Sequence, residues 1–142
     1  MEVSLVRNRL LLAIDRARAR AQQRRQRAGD AERAYATFLA QVATPMARMM
    51  ATALKAEGYP FTVATPSGGL RLSSDHGRDD YVEFLLDTSG EEPQVMGRLS
   101  RTRGSRTLTS ERPVKAQTGP DALTEEDVLS FLVEALEPWL ER

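Results

Sequence analysis

The stretch LKAEGYPFTVAT, Leu54 to Thr65, is where the 142-residue chain changes its period. Before it, apolar side chains recur every three or four positions, as in a helix that buries one side. From Phe61 onward they come in short alternating or β-branched runs, the pattern of strands. Gly58 sits at the change, well placed as the left-handed residue that follows a helix end. The expected fold class is α+β: a long N-terminal helical segment, an antiparallel meander, and a C-terminal helix packed on one sheet face.

Upstream of the change, TPMARMMATALKAE reads as a helix with Thr44 as N-cap and Pro45 at the first helical position, so a second helix is expected from 45. Met46, Met49 and Met50 cluster on it, and methionines so spaced are expected to fill an irregular core. Further back, positions 1 to 28 hold neither glycine nor proline. At about 100° per residue, Val3, Val6, Leu10, Ile14, Ala17, Ala21, Ala28, Tyr35, Leu39 and Val42 fall within an arc roughly 80° wide. This is one narrow seam, closer to a coiled-coil stripe than to a broad core face. Gly29-Asp30 is its weak point, the place for a kink or break.

Downstream, FTVAT, LRLSS, YVEFLLD, QVMGRLSRTR and RTLTSER are strand-like, separated by the turn signals PSGG, SDHGRDD, TSGEEP and RGS. Short connections imply antiparallel neighbours, hence a meander of four or five strands. Val82, Phe84 and Leu86 point one way and should meet a helix; Tyr81, Glu83, Leu85 and Asp87 point the other. In the last helix Thr124 is the N-cap, Asp127 completes a capping-box variant, and Leu123 can staple against Val128. Val128, Leu129, Leu132, Ala135, Leu136, Trp139 and Leu140 make the expected buried face, and Pro138 should kink or end the helix. The helical part, 1–58, and the remainder, 59–142, are read as one structural unit.

The 41% hydrophobic and 28% charged fractions are those of a globular domain. Without cysteine the chain has no disulfide framework, thiolate nucleophile or cysteine-based zinc site. Its longest apolar run, LLLAI, is far short of a membrane span, and MEVSLVRNRL lacks the pattern of a secretory signal, so a cytoplasmic location with no membrane partner is expected.

Net charge is zero but polarised. Residues 1–58 carry eleven basic side chains against five acids, and residues 121–142 seven acids against Arg142 alone. Such asymmetry suggests a partner for each end, or pairing of the two ends. Arg16, Arg20, Arg24 and Arg27 border or intrude on the apolar seam, where interhelical charges sit in packed helices. A second basic group, Arg98, Arg101, Arg103 and Arg106, lies on the hairpin GRLSRTRGSRTLTSER. Both groups are candidate contacts for an acidic protein surface or for nucleic-acid phosphates.

Chemistry beyond charge is sparse. His76, the single histidine, stands beside Asp75, Asp79 and Asp80, a pattern that suits a general base or a metal ligand as well as a solvated turn. There is no phosphate-binding glycine motif, and no catalytic, cofactor or metal residues are assigned. The expected function is a non-enzymatic, self-associating adaptor or scaffold, a homodimer joined along Val3, Val6, Leu10, Ile14, Tyr35, Leu39 and Val42. The helices would run antiparallel, or each basic helix would lie near the other chain's acidic C-terminal helix. Nucleic-acid binding through the two arginine groups is the second reading, and an enzyme at the His76 loop the third.

Overall fold

The computed structural model describes residues 1–141. One helical rod opens the chain in three parts: α1, Val3–Phe38; a π-helical turn, Leu39–Ala43; and α2, Thr44–Ala56. Five strands follow, β1 Phe61–Ala64, β2 Leu70–Ser74, β3 Tyr81–Asp87, β4 Gln94–Arg103 and β5 Arg106–Pro113, and then α3, Glu125–Leu140. The strands pair in sequence order, each antiparallel to the next. The fold is α+β with a five-stranded meander, as its period changes imply.

The rod departs from expectation at two places. Gly29 and Asp30 lie inside α1, and no break occurs there. A helical glycine costs only about 1 kcal/mol relative to alanine, less than breaking a turn of backbone hydrogen bonds. Thr44 is not an N-cap: it is right-handed helical, and its amide donates to the Leu39 carbonyl five residues back. Pro45 supplies no amide hydrogen, and its ring would strike the Gln41 carbonyl in a regular α-helix. The wider π turn just before it absorbs that conflict, so the chain passes through Pro45 without turning back.

The rod ends as Gly58 dictates. Gly58 takes φ +90, its amide donates to the Lys55 carbonyl at 3.1 Å, and the Tyr59 amide reaches Leu54 at 2.8 Å. This is a Schellman cap, which turns the chain into β1. At the other hairpin of note, Gly104 adopts φ +65 at the first loop position between Arg103 and Arg106, where a two-residue turn wants glycine.

All helix packing falls on one sheet face. Leu70, Leu72, Val82, Phe84 and Val95 bury there against Leu39, Ala43, Ala47 and α3. Phe84 lies between Phe38 and Phe131, with centroids 6.3 and 5.7 Å away. On α3, Val128, Leu132, Ala135 and Leu136 are buried as expected, Leu129 and Trp139 are partly so, and Leu140 is exposed. Phe131 joins this face and decides its height, because it lies directly on Gly97: a Cβ there would come within 2.0 Å of the Phe131 ring. The capping box at Thr124 and Asp127 is formed, with bonds of 3.2 and 2.9 Å, and α3 continues past Pro138 to Leu140. Met46 is buried and Met50 half-buried, but Met49 faces solvent, so the methionine cluster is only partly core.

The opposite sheet face carries charge in register. Arg71 pairs with Glu83 at 2.6 Å and Arg98 with Glu111 at 2.7 Å, forming one row across β2 to β5. Arg71 also stacks over the Tyr81 ring.

Candidate self-association surface

The seam of α1 divides between two environments. Its C-terminal part belongs to the core: Leu39 is buried, and Tyr35 and Val42 pack against the core cluster. These three are therefore occupied within the chain and are not part of a surface seam. Its N-terminal part is bare, with Val3 82%, Val6 51% and Leu10 57% exposed. From Val3 to Arg27 only Ile14 and Ala21 are even half-buried, and the first fully buried residue of α1 is Ala31. Leu5, Leu11 and Leu12 are exposed as well, so apolar surface extends beyond the narrow seam.

What separates the two parts is a loop. The β3–β4 connection stands across from α1 over a cleft lined by Arg24, Arg25, Arg27 and Ala28 on the helix and by Thr88, Ser89, Gly90, Glu91 and Pro93. A second cleft continues the contact, with Ala31 and Ala34 facing Pro93 and Pro120. N-terminal to Arg24 the rod leaves the domain. Val3 to Gln23 would span about 32 Å at helical rise. The loop was legible in TSGEEP only as a turn, and no local signal reveals that it borders a cleft with a helix some sixty residues earlier.

The structure keeps the two arginine groups apart. Arg24 and Arg27 lie at the β3–β4 end of the sheet. Arg101 and Arg103 lie at the other end, in a groove with Ser74, His76, Asp80, Pro138 and Trp139. Arg98 is bound to Glu111, and Arg112 to Glu134 at 3.0 Å. Among the described residues Arg16, Arg20, Arg24, Arg27, Arg101, Arg103 and Arg106 hold no ion pair, and none joins α1 to α3. Among the described residues the basic and acidic ends of the chain hold no ion pair with each other.

At the His76 loop the aspartates tie the loop to β1 and β4. Asp75 accepts from the Thr62 hydroxyl at 2.6 Å, Asp80 from the Thr102 amide at 2.6 Å, and the Asp79 carbonyl from the Ser100 hydroxyl at 2.6 Å. His76 is exposed, and its backbone amide donates to the Ser74 hydroxyl. No group of three or more histidine, cysteine or acidic side chains placed to hold a metal ion occurs among the described residues. No described helix is long and apolar enough to cross a membrane. Elsewhere, Tyr35 has a buried hydroxyl without a hydrogen-bond partner, and burial, with Glu83 adding, pushes its pKa up to about 12.

No family model matches the chain, and no curated protein or solved structure was found to resemble it.

Proposed function

We propose that the chain is a non-enzymatic, self-associating adaptor, joined through the free part of α1 and presenting its sheet domain at the end of the rod. One observation carries this reading: the stripe that packs the core at Tyr35 and Leu39 continues outward to Leu10 and Val3 with nothing over it. Most helices owe their stability to packing of an apolar face, and this length of α1 has no such packing within its own chain. Contiguous exposed apolar surface of this kind marks an interaction site.

The test is oligomeric state. Sedimentation across a concentration series should give a dimer, and Leu10→Asp combined with Ile14→Asp should give monomers with the sheet domain still folded. A wild-type protein that stays monomeric at high concentration overturns the reading.

Nucleic-acid binding through the arginines is the second reading, favoured by the unpaired guanidinium groups of α1. It is weakened by the placement of the two basic groups at opposite ends of the sheet. A polyanion binder using six or more arginines would lose affinity steeply with salt. Tight, steeply salt-dependent binding of duplex DNA or RNA would reverse the order. The His76 loop has the least support, since Asp75 and Asp80 are engaged by Thr62 of β1 and Thr102 of β4.

A further inference from the structure

We infer that the occupant of the free α1 stripe is a second copy of the same helix, running antiparallel, with the twofold axis beside residue 12. This rests on the self-association reading and adds its direction and register.

Three features converge on that register. The first is packing. Wound at 3.5 residues per turn against a partner, the stripe of Val3, Leu10, Ile14, Ala17 and Ala21 takes in the charged Arg7 between Val3 and Leu10, moves Val6 to its edge, and is followed by Arg24. An antiparallel pair centred beside residue 12 sets Val3 against Ala21, Arg7 against Ala17 and Leu10 against Ile14. Val3 then meets the small Ala21, the methylene stem of Arg7 lies over Ala17 with its guanidinium reaching water, and the two large aliphatic residues meet at the centre.

The second feature is charge. The positions flanking the stripe are Ser4, Leu11, Arg18 and Arg25 on one side, and Val6, Ala13, Arg20 and Arg27 on the other. The N-terminal half of each flank is thus uncharged, and the C-terminal half is arginine. Antiparallel packing lays one half on the other: Arg18 comes opposite Ser4, Arg20 opposite Val6, and Leu11 and Ala13 meet their own copies. A parallel pair would instead set Arg20 against Arg25 of the partner along both edges, and like charges so placed oppose association.

The third feature is the end stop. Arg24, Arg25 and Ala28 share a cleft with the loop Thr88–Glu91, which stands beside the stripe at Ala28. A partner helix can therefore lie on the stripe from Val3, the first helical residue, as far as Ala21, where the chosen register ends. Sliding one heptad further would bring Arg7 against Arg24 and push the partner into that loop. Sliding one heptad back would leave Ala17 and Ala21 uncovered.

The absence of cysteine makes the register directly testable by disulfide trapping. Val3→Cys and Ala21→Cys are both made at positions outside the core, so folding is undisturbed. The two purified variants are oxidised separately and as an equimolar mixture, then resolved on non-reducing gels beside sedimentation of the same samples. Antiparallel pairing brings position 3 next to position 21 of the partner, while like positions stand about 27 Å apart, far beyond disulfide reach. The expected result is a cross-linked dimer in the mixture and none with either variant alone. Rapid cross-linking of Val3→Cys with itself would mean parallel helices and overturn the inference while leaving self-association standing. A dimer that sediments as such but cross-links in neither arrangement would place the contact on another face, and also overturns it. A monomer throughout would overturn the self-association reading and this one with it.

Discussion

Leu10 and Leu39 lie on the same helical stripe, and truncating each to alanine should have opposite consequences. Leu39 is 5% exposed, enclosed by the core of its own chain. Leu39→Ala should cost about 2–5 kcal/mol of folding stability, because the cavity it leaves cannot fully collapse. Leu10 is 57% exposed and lies on the length of α1 that holds no fully buried residue. Removing it leaves the folded monomer almost unchanged, and alanine is an even better helix former. In the dimer the same side chain is covered. Full burial of a leucine is worth roughly 1.5–3 kcal/mol, so covering its exposed share contributes about 1–1.7 kcal/mol per copy. Two copies per dimer give about 2–3.4 kcal/mol, or roughly a 30- to 300-fold weaker dissociation constant. Sedimentation equilibrium measures that constant, and chemical denaturation at low protein concentration measures monomer stability. Leu10→Ala should move only the first, and Leu39→Ala chiefly the second. An unchanged dissociation constant in Leu10→Ala would refute burial of the outer stripe. A large loss of monomer stability in the same variant would refute its independence of the domain.

Two glycine substitutions should act with opposite sign. Gly97→Ala should destabilise by at least 1–3 kcal/mol, since its new Cβ strikes the Phe131 ring, whereas Gly29→Ala should stabilise by about 1 kcal/mol. At Gly29 a Cβ would meet nothing nearer than the Arg33 guanidinium at 3.8 Å. Thermal or urea unfolding reads both, and equal effects would contradict the packing described. Tyr35→Phe should be neutral or mildly stabilising at pH 7, because it deletes a buried hydroxyl without a partner. The raised Tyr35 pKa favours the neutral phenol in the fold, so its contribution is complete below the unfolded value of 10.0 and is lost as pH climbs towards about 12. The alkaline limb of a stability profile should therefore flatten in Tyr35→Phe; an unchanged limb refutes the assignment. Asp127 has its carboxyl held below the usual range, first by the Thr124 amide and then, among smaller contributions, by Lys115. Its contribution is present above the unfolded carboxylate value and fades as pH falls through the lower folded one, so Asp127→Asn should blunt the acid limb, measured by the same unfolding assay.

The sequence by itself determined the parts that local chemistry controls. Gly58 ended the helical rod, the alternation after Phe61 produced strands with the expected limits, and Thr124 with Asp127 capped α3. Each depends on residues within one turn or one strand of each other, where backbone preference and hydrogen bonding act without distant help. Thr44-Pro45 was a local signal that misled. Proline is equally compatible with the first turn of a new helix and with a widened turn inside an old one, and only packing of Leu39 and Ala43 on the sheet selected the second.

Only the tertiary structure decided which length of the stripe is core and which is surface. Val3, Leu10, Tyr35 and Leu39 obey one periodicity, and periodicity records that a face is to be buried, not what buries it. The sheet and α3 cover Tyr35 and Leu39, the loop at Thr88–Glu91 shares a cleft with Ala28, and beyond it Leu10 and Val3 stay exposed. Nor could charge counting place the arginines. The hairpin and the rod are both basic, yet antiparallel pairing carries the β4–β5 turn to the end of the sheet away from α1. Both outcomes follow from contacts between residues distant in sequence, which neither composition nor local spacing encodes.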